Sequence, residues 1–343
     1  MTTEPRLVPP PRRGPRATND DFELVPQPSP GRGAVPFDFP GVEVGTAEYV
    51  EGPTGVTVVH VPAGARMAID ERGGAIGLVS SDKHYAHAVC LAGGSVYGLA
   101  AAAGVNDEIL ARRDGSTDWD ALALVSGAII FDFTARETAV SPDEQLGRAA
   151  LRWAEPGRFP TGQCGAGRTA SVGKLDWARC EYAGQGAAFR QIGDVRILAA
   201  TVVNAVGVVV DRDGAVVRGN YDATTGARRP LHEDYAEAFV EAARTGAAVP
   251  GNTGNTTISV LVTNVRLGDV ELAQFGRQVH SSMHRAIQPF HTNLDGDTLF
   301  TLTTDEIDLP VAPSRLGENA MNSVALGSVA SEVMWDAVLS AVR

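Results

Sequence analysis

Runs of β-branched apolar residues, each preceded by a glycine-containing turn, recur along this chain and constrain it to a fold built on buried strands. In one of them, the polar turn Gly254-Asn255-Thr256-Thr257 leads directly into an expected strand over residues 258–265. Gly, Asn and Thr favour turns, whereas β-branched residues favour strands. A second run, over residues 122–133, is too rich in β-branched residues for a helix and predicts a buried strand.

Apolar periodicity predicts helices between these strands. Over residues 269–286, Leu272, Phe275, Val279 and Met283 fall on one helical face. Further helices are expected at 96–112, 144–153, 233–244 and 318–342, and further strands at 56–62, 75–80, 195–203, 208–211, 215–218 and 298–304. The mixture predicts an α/β fold with layered strands and helices, and 343 residues are enough for one large domain or for two.

Residues 1–40 differ from the rest of the chain in composition. They hold 10 of its 20 prolines, three closely spaced arginines and few aliphatic residues. A segment of this kind buries too little apolar surface to offset its ordering entropy, which predicts a flexible tail. The alternative is a segment that lies extended over a neighbouring subunit.

Net charge and cysteine content exclude several classes of partner. A formal charge of −12 opposes binding to nucleic-acid phosphates, and no apolar run reaches the roughly 18–20 residues of a membrane span. Three cysteines at unrelated spacings, Cys90, Cys164 and Cys180, suggest free buried thiols in a reducing compartment. We therefore expect a cytoplasmic protein.

Thr256 is a candidate nucleophile if the peptide bond before it is cut. The new α-amine would have a pKa of about 7.7–8.0, so it could take the proton of the hydroxyl on the same residue. The plainer interpretation, favoured by pattern alone, is a surface turn. Glycosylation of Asn255 within its N-x-T triplet would need a secreted protein, and the N-terminus lacks the apolar segment of a signal peptide.

Four other polar residues lie where either a structural or a catalytic role is possible. Asn204 ends an apolar strand and can be a turn residue or an oxyanion donor. Lys174, among small residues, could lower the pKa of a neighbouring amine if it is buried. Asp295 and Asp297 flank a glycine, which indicates either a hairpin turn or a carboxylate pair at the start of a strand.

Two further patterns favour structural roles. His280 and His284 have the spacing of a zinc protease, but Ser281 stands where the general-base glutamate is needed. The glycines of residues 93–98 open a helix without dinucleotide-binding spacing, which favours close packing over a nucleotide site.

Several motifs in order resemble one known family: "AGGSVYGL", "GAGRTASVGK", "VVNAVGVVVD", "GNTTISVLVTN" and "FHTNLDGDTLF". They are similar to the self-processing β-aminopeptidases and L-aminopeptidase/D-esterases. "FDFPGV", "QVHSSMHRAIQPFHT", "TTDEIDLP" and "SEVMWDAVL" are closer to the branch of 6-aminohexanoate-oligomer endohydrolases, which act on nylon oligomers. The resemblance covers residue 37 to the C-terminus. It implies a four-layer αββα sandwich of the N-terminal-nucleophile-hydrolase type, without metal or organic cofactor.

The resemblance also implies a set of roles. A single catalytic domain over residues 41–343 would cut itself between Asn255 and Thr256 into chains of residues 1–255 and 256–343. Thr256 would be the nucleophile, Lys174 and Asn204 would serve catalysis and oxyanion stabilisation, and Asp295 and Asp297 would face the nucleophile. Some members carry a tyrosine where Phe131 stands, which leaves the role of that hydroxyl open. The cleaved heterodimers are expected to form a homo-oligomer, with a tetramer favoured.

Three alternatives remain beside hydrolysis of linear oligoamides. The chain could be an aminopeptidase acting on peptides of β- or D-amino acids. It could be an acyltransferase similar to ornithine acetyltransferase, in which an amine instead of water resolves the acyl ester. It could also be a non-catalytic binding protein in which "GNTT" is only a turn.

Overall fold

The computed structural model describes residues 4–249, 254–310, 315 and 320–343. The helices are α1 Ala100–Arg112, α2 Glu144–Arg152, α3 Leu231–Thr245, α4 Asp269–Ser282 and α5 Ala320–Ser340. The strands are β1 Gln27–Pro28, β2 Gly33–Pro36, β3 Glu43–Tyr49, β4 Thr54–Glu71, β5 Leu78–Ser80, β6 Tyr85–Ala92, β7 Val125–Ile129, β8 Glu155–Pro156, β9 Arg158–Thr161, β10 Ser171–Val172, β11 Glu181–Tyr182, β12 Gln185–Ile192, β13 Val195–Asn204, β14 Val208–Val210, β15 Val216–Arg218, β16 Tyr221–Asp222, β17 Ala227–Arg228, β18 Thr256–Val265, β19 Ile287–Gln288 and β20 Thr298–Ile307.

Two β-α-β units build the main sheet. Strands β18 and β20 pair in parallel and are joined through α4, while β6 and β7 pair in parallel and are joined through α1. Parallel neighbours need such a crossover, and coverage of the sheet faces explains why these strands are largely buried on both sides. Strand β18 is buried along its whole length, as its β-branched sequence requires.

Strand β4 joins the two units into one hydrogen-bonded sheet. Its first residues pair with β3 and β6, and its last residues, Arg66–Glu71, pair with β20. The register with β6 shifts between His60 and Ala65, where the strand passes from one half of the sheet to the other. The order across the sheet is β12-β13-β18-β20-β4-β6-β7-β5, and β3 branches from β4.

Three apolar cores show that the two halves of the sheet are stacked between helices. Alternate residues of β13 point in opposite directions: Leu198 and Val202 pack into a core shared with β3, β4 and β6, while Ile197 and Ala199 pack against α4 and α5. A third core joins β3, β6 and β7 to α1 and α2. The molecule is therefore an αββα sandwich, in agreement with the expected fold class.

The predicted elements correspond to observed ones, with corrections at their ends. The strand expected over residues 122–133 is only Val125–Ile129, because the backbone turns into a 3-10 segment at Phe133–Ala135. The strand expected at 75–80 is only Leu78–Ser80, and the helix over 269–286 ends at Ser282 before another 3-10 turn. The helix expected from residue 318 is described from Ala320 onward; residues 318–319 lie outside the described residues.

The N-terminal segment requires a larger correction, because residues 4–40 lie against the domain instead of forming a flexible tail. Val8, Phe37 and Phe39 are buried, and β1 and β2 pair with β3 and β9. These three apolar residues anchor the segment, although Leu7 and Val25 stay exposed, and prolines are compatible with the extended backbone of edge strands. Residues 1–3 lie outside the described residues.

Among the described residues, no helix is both long enough and apolar enough to cross a membrane.

Candidate active site

Thr256 lies at the start of β18, where three segments meet. It pairs with Asn204, the last residue of the antiparallel neighbour β13, and the preceding Asn255 forms a parallel bridge with Asp295. Thr256 is 3% exposed, and Asn204 and Asp295 are completely buried. The segment "GNTT" is therefore an interior part of the sheet, which excludes the interpretation of a surface turn.

The carbonyl group of Asn255 is held by two hydrogen bonds. The hydroxyl of Thr256 donates to the Asn255 carbonyl oxygen at 2.5 Å, and the backbone N–H of Gly296 donates to the same oxygen at 3.0 Å. A hydrogen-bond donor on this oxygen would stabilise negative charge if the carbonyl carbon were attacked. Residues 250–253, which include the Asn252-Thr253 bond, lie outside the described residues.

Gly296 was not identified from sequence as a site residue. A Cβ at this position would lie 2.2 Å from the carbonyl oxygen of Ala75 and 3.1 Å from Oγ1 of Thr256. Only glycine fits that space, so the backbone N–H can approach the Asn255 carbonyl. Of the two interpretations that the sequence left open for residues 295–297, the structure does not show the hairpin turn, because Asp295 forms a parallel bridge with Asn255.

Lys174 and Asn204 form a buried pair beside Thr256. The ammonium group of Lys174 donates to the carbonyl oxygen of Asn204 at 2.9 Å, to its Oδ1 at 2.8 Å and to the Gly254 carbonyl oxygen at 3.4 Å. Complete burial lowers the pKa of Lys174 from 10.5 to about 8. The chain has two lysines among its 29 basic residues, and only a lysine could deprotonate here, since arginine stays charged.

The side-chain amide of Asn204 makes hydrogen bonds to other groups than the Asn255 carbonyl. Its Oδ1 also accepts from the backbone N–H of Ser171 at 3.1 Å, and its Nδ2 donates to the Phe131 carbonyl oxygen at 3.0 Å. In the continuous chain, a backbone donor to the Asn255 carbonyl is thus Gly296.

Asp295 and Asp297 hold the backbone on either side of the nucleophile. Asp297 accepts from the N–H of Thr257 at 2.7 Å, next to Thr256, and Asp295 accepts from the N–H groups of Val206 and Thr292. Both carboxylates are completely buried. Burial, followed by the nearby charge of Asp295, raises the pKa of Asp297 to about 8.

A histidine absent from the sequence predictions lies behind Asp297. His291 contacts Oδ2 of Asp297 twice, through Nδ1 at 2.9 Å and through its backbone N–H at 3.0 Å. Its ring also lies 4.4 Å, between centroids, from that of His280, which contacts Asp70 at 2.9 Å. Burial lowers the pKa of His291 to about 4, so this ring is neutral at pH 7. His280 is thus buried and structural, whereas His284 is exposed.

Phe131 packs against the backbone that precedes the nucleophile. A Cβ on Gly254 would lie 2.2 Å from Cδ1 of Phe131, so the ring is in contact with the Gly254 backbone. Gly254 has a φ of +88°, a conformation that glycine adopts without strain. The ring of Phe131 therefore borders the space occupied by residues 254–255.

The cysteines do not provide an alternative nucleophile. Cys90, Cys164 and Cys180 are free and buried, as the sequence predicted. Burial raises the pKa of each thiol to about 12, which removes the thiolate that cysteine chemistry requires.

Comparison with known proteins gives one consistent family. The family model described as Peptidase family S58 matches residues 37–343. A 6-aminohexanoate-oligomer endohydrolase from Paenarthrobacter ureafaciens is 61% identical over 340 residues, covering 98% of this chain and 94% of the relative. These matches confirm the resemblance that the motifs indicated.

Two solved structures share the fold at low sequence identity. The L-aminopeptidase D-Ala-esterase/amidase from Ochrobactrum anthropi, described as a variant of the Ntn hydrolase fold, has a TM-score of 0.61 at 16% identity and covers 96% of this chain and 90% of its own. A β-aminopeptidase from Burkholderia sp. has a TM-score of 0.60 at 16% identity, with 92% and 88% covered. The sandwich is thus of the N-terminal-nucleophile-hydrolase type.

Proposed function

The chain belongs to peptidase family S58 and is a hydrolase of linear amides, and we propose that it cuts itself before Thr256 and then hydrolyses linear oligoamides such as 6-aminohexanoate oligomers. The substrate class comes from the name of the relative that is 61% identical over nearly the full length. The observation that carries the self-cleavage is the position of the Thr256 hydroxyl on an Asn255 carbonyl that also accepts from Gly296.

In the first step, Oγ1 of Thr256 attacks the carbonyl carbon of Asn255. The new C–O bond forms as the C–N bond of the same peptide breaks, and the hydroxyl proton passes to the released nitrogen. Water then hydrolyses the ester, which leaves a carboxylate on Asn255 and a free α-amine on Thr256. The N–H of Gly296 stabilises the oxyanion, a contribution typically worth about 3–4 kcal/mol.

In turnover, the α-amine of Thr256 accepts the hydroxyl proton as Oγ1 attacks a substrate amide. Asn204 donates a side-chain N–H to the oxyanion, and the protonated amine gives its proton to the leaving nitrogen. Water releases the acyl group from Oγ1 and restores the enzyme. Burial explains the order of events, because a nucleophile that is 3% exposed is closed to an oligomer until the residues before it move away.

Three buried charged residues hold the reacting groups in place: Lys174, Asp295 and Asp297. Lys174 contacts both oxygens of Asn204, so it sets the orientation of that side chain. Its positive charge also lowers the pKa of the new Thr256 amine, which favours the neutral form that can accept a proton. Asp297 fixes the backbone of Thr257, and Asp295 fixes the loop that carries Gly296.

We extend the proposal to location and assembly. Three free buried thiols support a reducing, cytoplasmic compartment. Helix α3 exposes Phe239 and Val240, at 66% and 72%, which supports a contact between copies, and the family resemblance favours a tetramer of cleaved heterodimers. Light scattering on the purified protein measures the number of subunits.

The experiment that tests the proposed activity is hydrolysis of purified linear 6-aminohexanoate oligomers, with Thr256→Ala as the control. We expect shorter oligomers from the wild-type protein and none from the variant. Release of single β- or D-amino acids from peptides, without attack on the oligomers, would instead indicate an aminopeptidase. Acetyl transfer to glutamate without hydrolysis would indicate an acyltransferase.

A further inference from the structure

We propose that Phe131, Phe133 and Tyr97 form the subsite for the acyl part of the substrate and that this subsite accepts a polymethylene chain longer than one amide unit. This inference rests on the proposed function, and it adds the place where the acyl part of the substrate binds. It concerns the side of the scissile bond that becomes the ester on Thr256.

In the uncut chain, residues 254–255 show the direction in which an acyl chain extends away from the nucleophile. Asn255 is the acyl group that Thr256 contacts, and Gly254 precedes it. A substrate carbonyl that reaches the same hydroxyl and the same Gly296 N–H must place its acyl chain where residues 254–255 lie in the uncut protein. The ring of Phe131 is in contact with the Gly254 backbone, so it borders that space.

A series of aromatic rings continues from this point to the surface. Phe131 and Phe133 lie 5.7 Å apart between ring centroids, and Phe133 and Tyr97 lie 6.2 Å apart, each pair edge to face. Phe131 and Phe133 are half-buried, whereas Tyr97 is 67% exposed. An exposed tyrosine at the end of two half-buried aromatic rings gives an apolar path whose outer end is in contact with solvent.

The outer end of the series opens into a pocket of about 430 Å³. Tyr97, Phe133 and Ala139 form its apolar side, and its polar lining residues are Thr18, Asn19, Asp20 and Ser141. Asn19 is fixed there, because its amide exchanges hydrogen bonds with the backbone of Ser141 at 3.0 and 2.8 Å. A pocket with an apolar side and a small number of fixed polar groups is suited to methylenes that alternate with amides.

The openness of this path selects for internal amide bonds. An enzyme that removes one terminal residue needs a closed acyl site with a charge close to the nucleophile that binds the free amine, whereas Asp20 lines the outer end of this path. Here the aromatic path leads outward, so an acyl chain of two or three units can continue along Phe133 and Tyr97 into solvent. Each further unit that packs on the rings removes apolar surface from water and increases kcat/KM.

The test uses p-nitroanilides of one, two and three 6-aminohexanoate units, which keep the leaving group constant while the acyl chain lengthens. The variants are Tyr97→Ala, Tyr97→Phe, which keeps the ring, and Trp119→Ala, a control at another exposed aromatic residue that is 86% exposed. Complete self-cleavage of each variant is verified on a denaturing gel. The measured quantity is the ratio of kcat/KM for three units to that for one unit.

We expect this ratio to exceed 1 in the wild-type protein, to fall about tenfold in Tyr97→Ala, and to be retained in Tyr97→Phe and Trp119→Ala. A wild-type ratio near 1, or a ratio that survives in Tyr97→Ala, would overturn the subsite. Failure of the wild-type protein to hydrolyse any of the three anilides, or the oligomers themselves, would contradict the proposed function instead.

Discussion

The backbone N–H of Gly296 donates at 3.0 Å to the carbonyl oxygen of Asn255, the same oxygen that the Thr256 hydroxyl contacts. The contact joins residues 41 positions apart through the parallel bridge between Asn255 and Asp295. The sheet itself thereby supplies a donor at the bond that we propose is cut.

Gly296→Ala tests this donor. A Cβ at this position would lie 2.2 Å from the Ala75 carbonyl oxygen, so the backbone must shift and the N–H must leave the Asn255 carbonyl. We expect self-cleavage to slow by about 100-fold or more, the usual effect of losing one oxyanion donor. The control is Gly268→Ala, whose Cβ would meet only Glu271 at 3.5 Å. Fragments that appear at the wild-type rate in Gly296→Ala would disprove a role for this N–H.

Lys174→Met removes the ammonium group and keeps most of the side-chain volume. Asn204 then loses its strongest partner, and we expect self-cleavage to slow by about 100-fold, since misplaced catalytic groups cost this much. The rate of fragment appearance after purification of the precursor measures it. Lys83→Met, at the exposed lysine, is the matched control. Equal rates of self-cleavage in the two variants would show that Lys174 has no role in this reaction.

Asp297→Asn tests the raised pKa through the pH dependence of stability. The pKa of Asp297 is about 8 in the fold and 3.8 ordinarily, so between these values the folded protein retains a proton that the unfolded chain has lost. The stability contributed by that proton falls as the pH rises from about 4 to 8, and asparagine has no such dependence. Both proteins carry Thr256→Ala. We expect the Tm of the Asp297→Asn variant minus the Tm of the protein with Asp297 to increase from pH 5 to pH 8. Asp213→Asn, at an exposed position, should show no such trend.

His291 is expected to act by positioning Asp297. Removing its ring with His291→Ala leaves Oδ2 of Asp297 without its Nδ1 contact, so self-cleavage should slow and its pH profile should move. Asparagine can place a nitrogen near the former Nδ1 and also tolerates the φ of +57° at this residue, so His291→Asn should restore the rate in part. His232→Ala, at an exposed histidine of α3, is the control. An unchanged pH profile in His291→Ala would argue against positioning.

The elements with a clear local pattern could be predicted from the sequence. β18 and α4 follow from β-branched runs and from a regular apolar face. Strands β6 and β12, "YAHAVCLA" and "QGAAFRQI", were not predicted, because alanine and glycine are weak strand formers and only tertiary packing makes these segments strands. The length of β4 was missed because Pro62 and Gly64 indicate a strand end, whereas the strand bends there into the second half of the sheet.

The residues of the candidate site also fall into a group that could be predicted from the sequence and a group that could not. Thr256, Lys174, Asn204, Asp295 and Asp297 carry recognisable side chains in family motifs, and the structure brings all five together. Gly296 contributes a backbone N–H, and His291 acts from behind a carboxylate. Neither has a spacing that signals its role, because each contact depends on how distant segments pair.

The most direct test of self-cleavage before Thr256 is the mass and N-terminal sequence of the purified protein under denaturing conditions. We expect two fragments, residues 1–255 and 256–343, the smaller beginning Thr-Thr-Ile, and a single uncut chain in Thr256→Ala. A wild-type protein that remains one chain of 343 residues, or a Thr256→Ala variant that still gives both fragments, would contradict the central proposal.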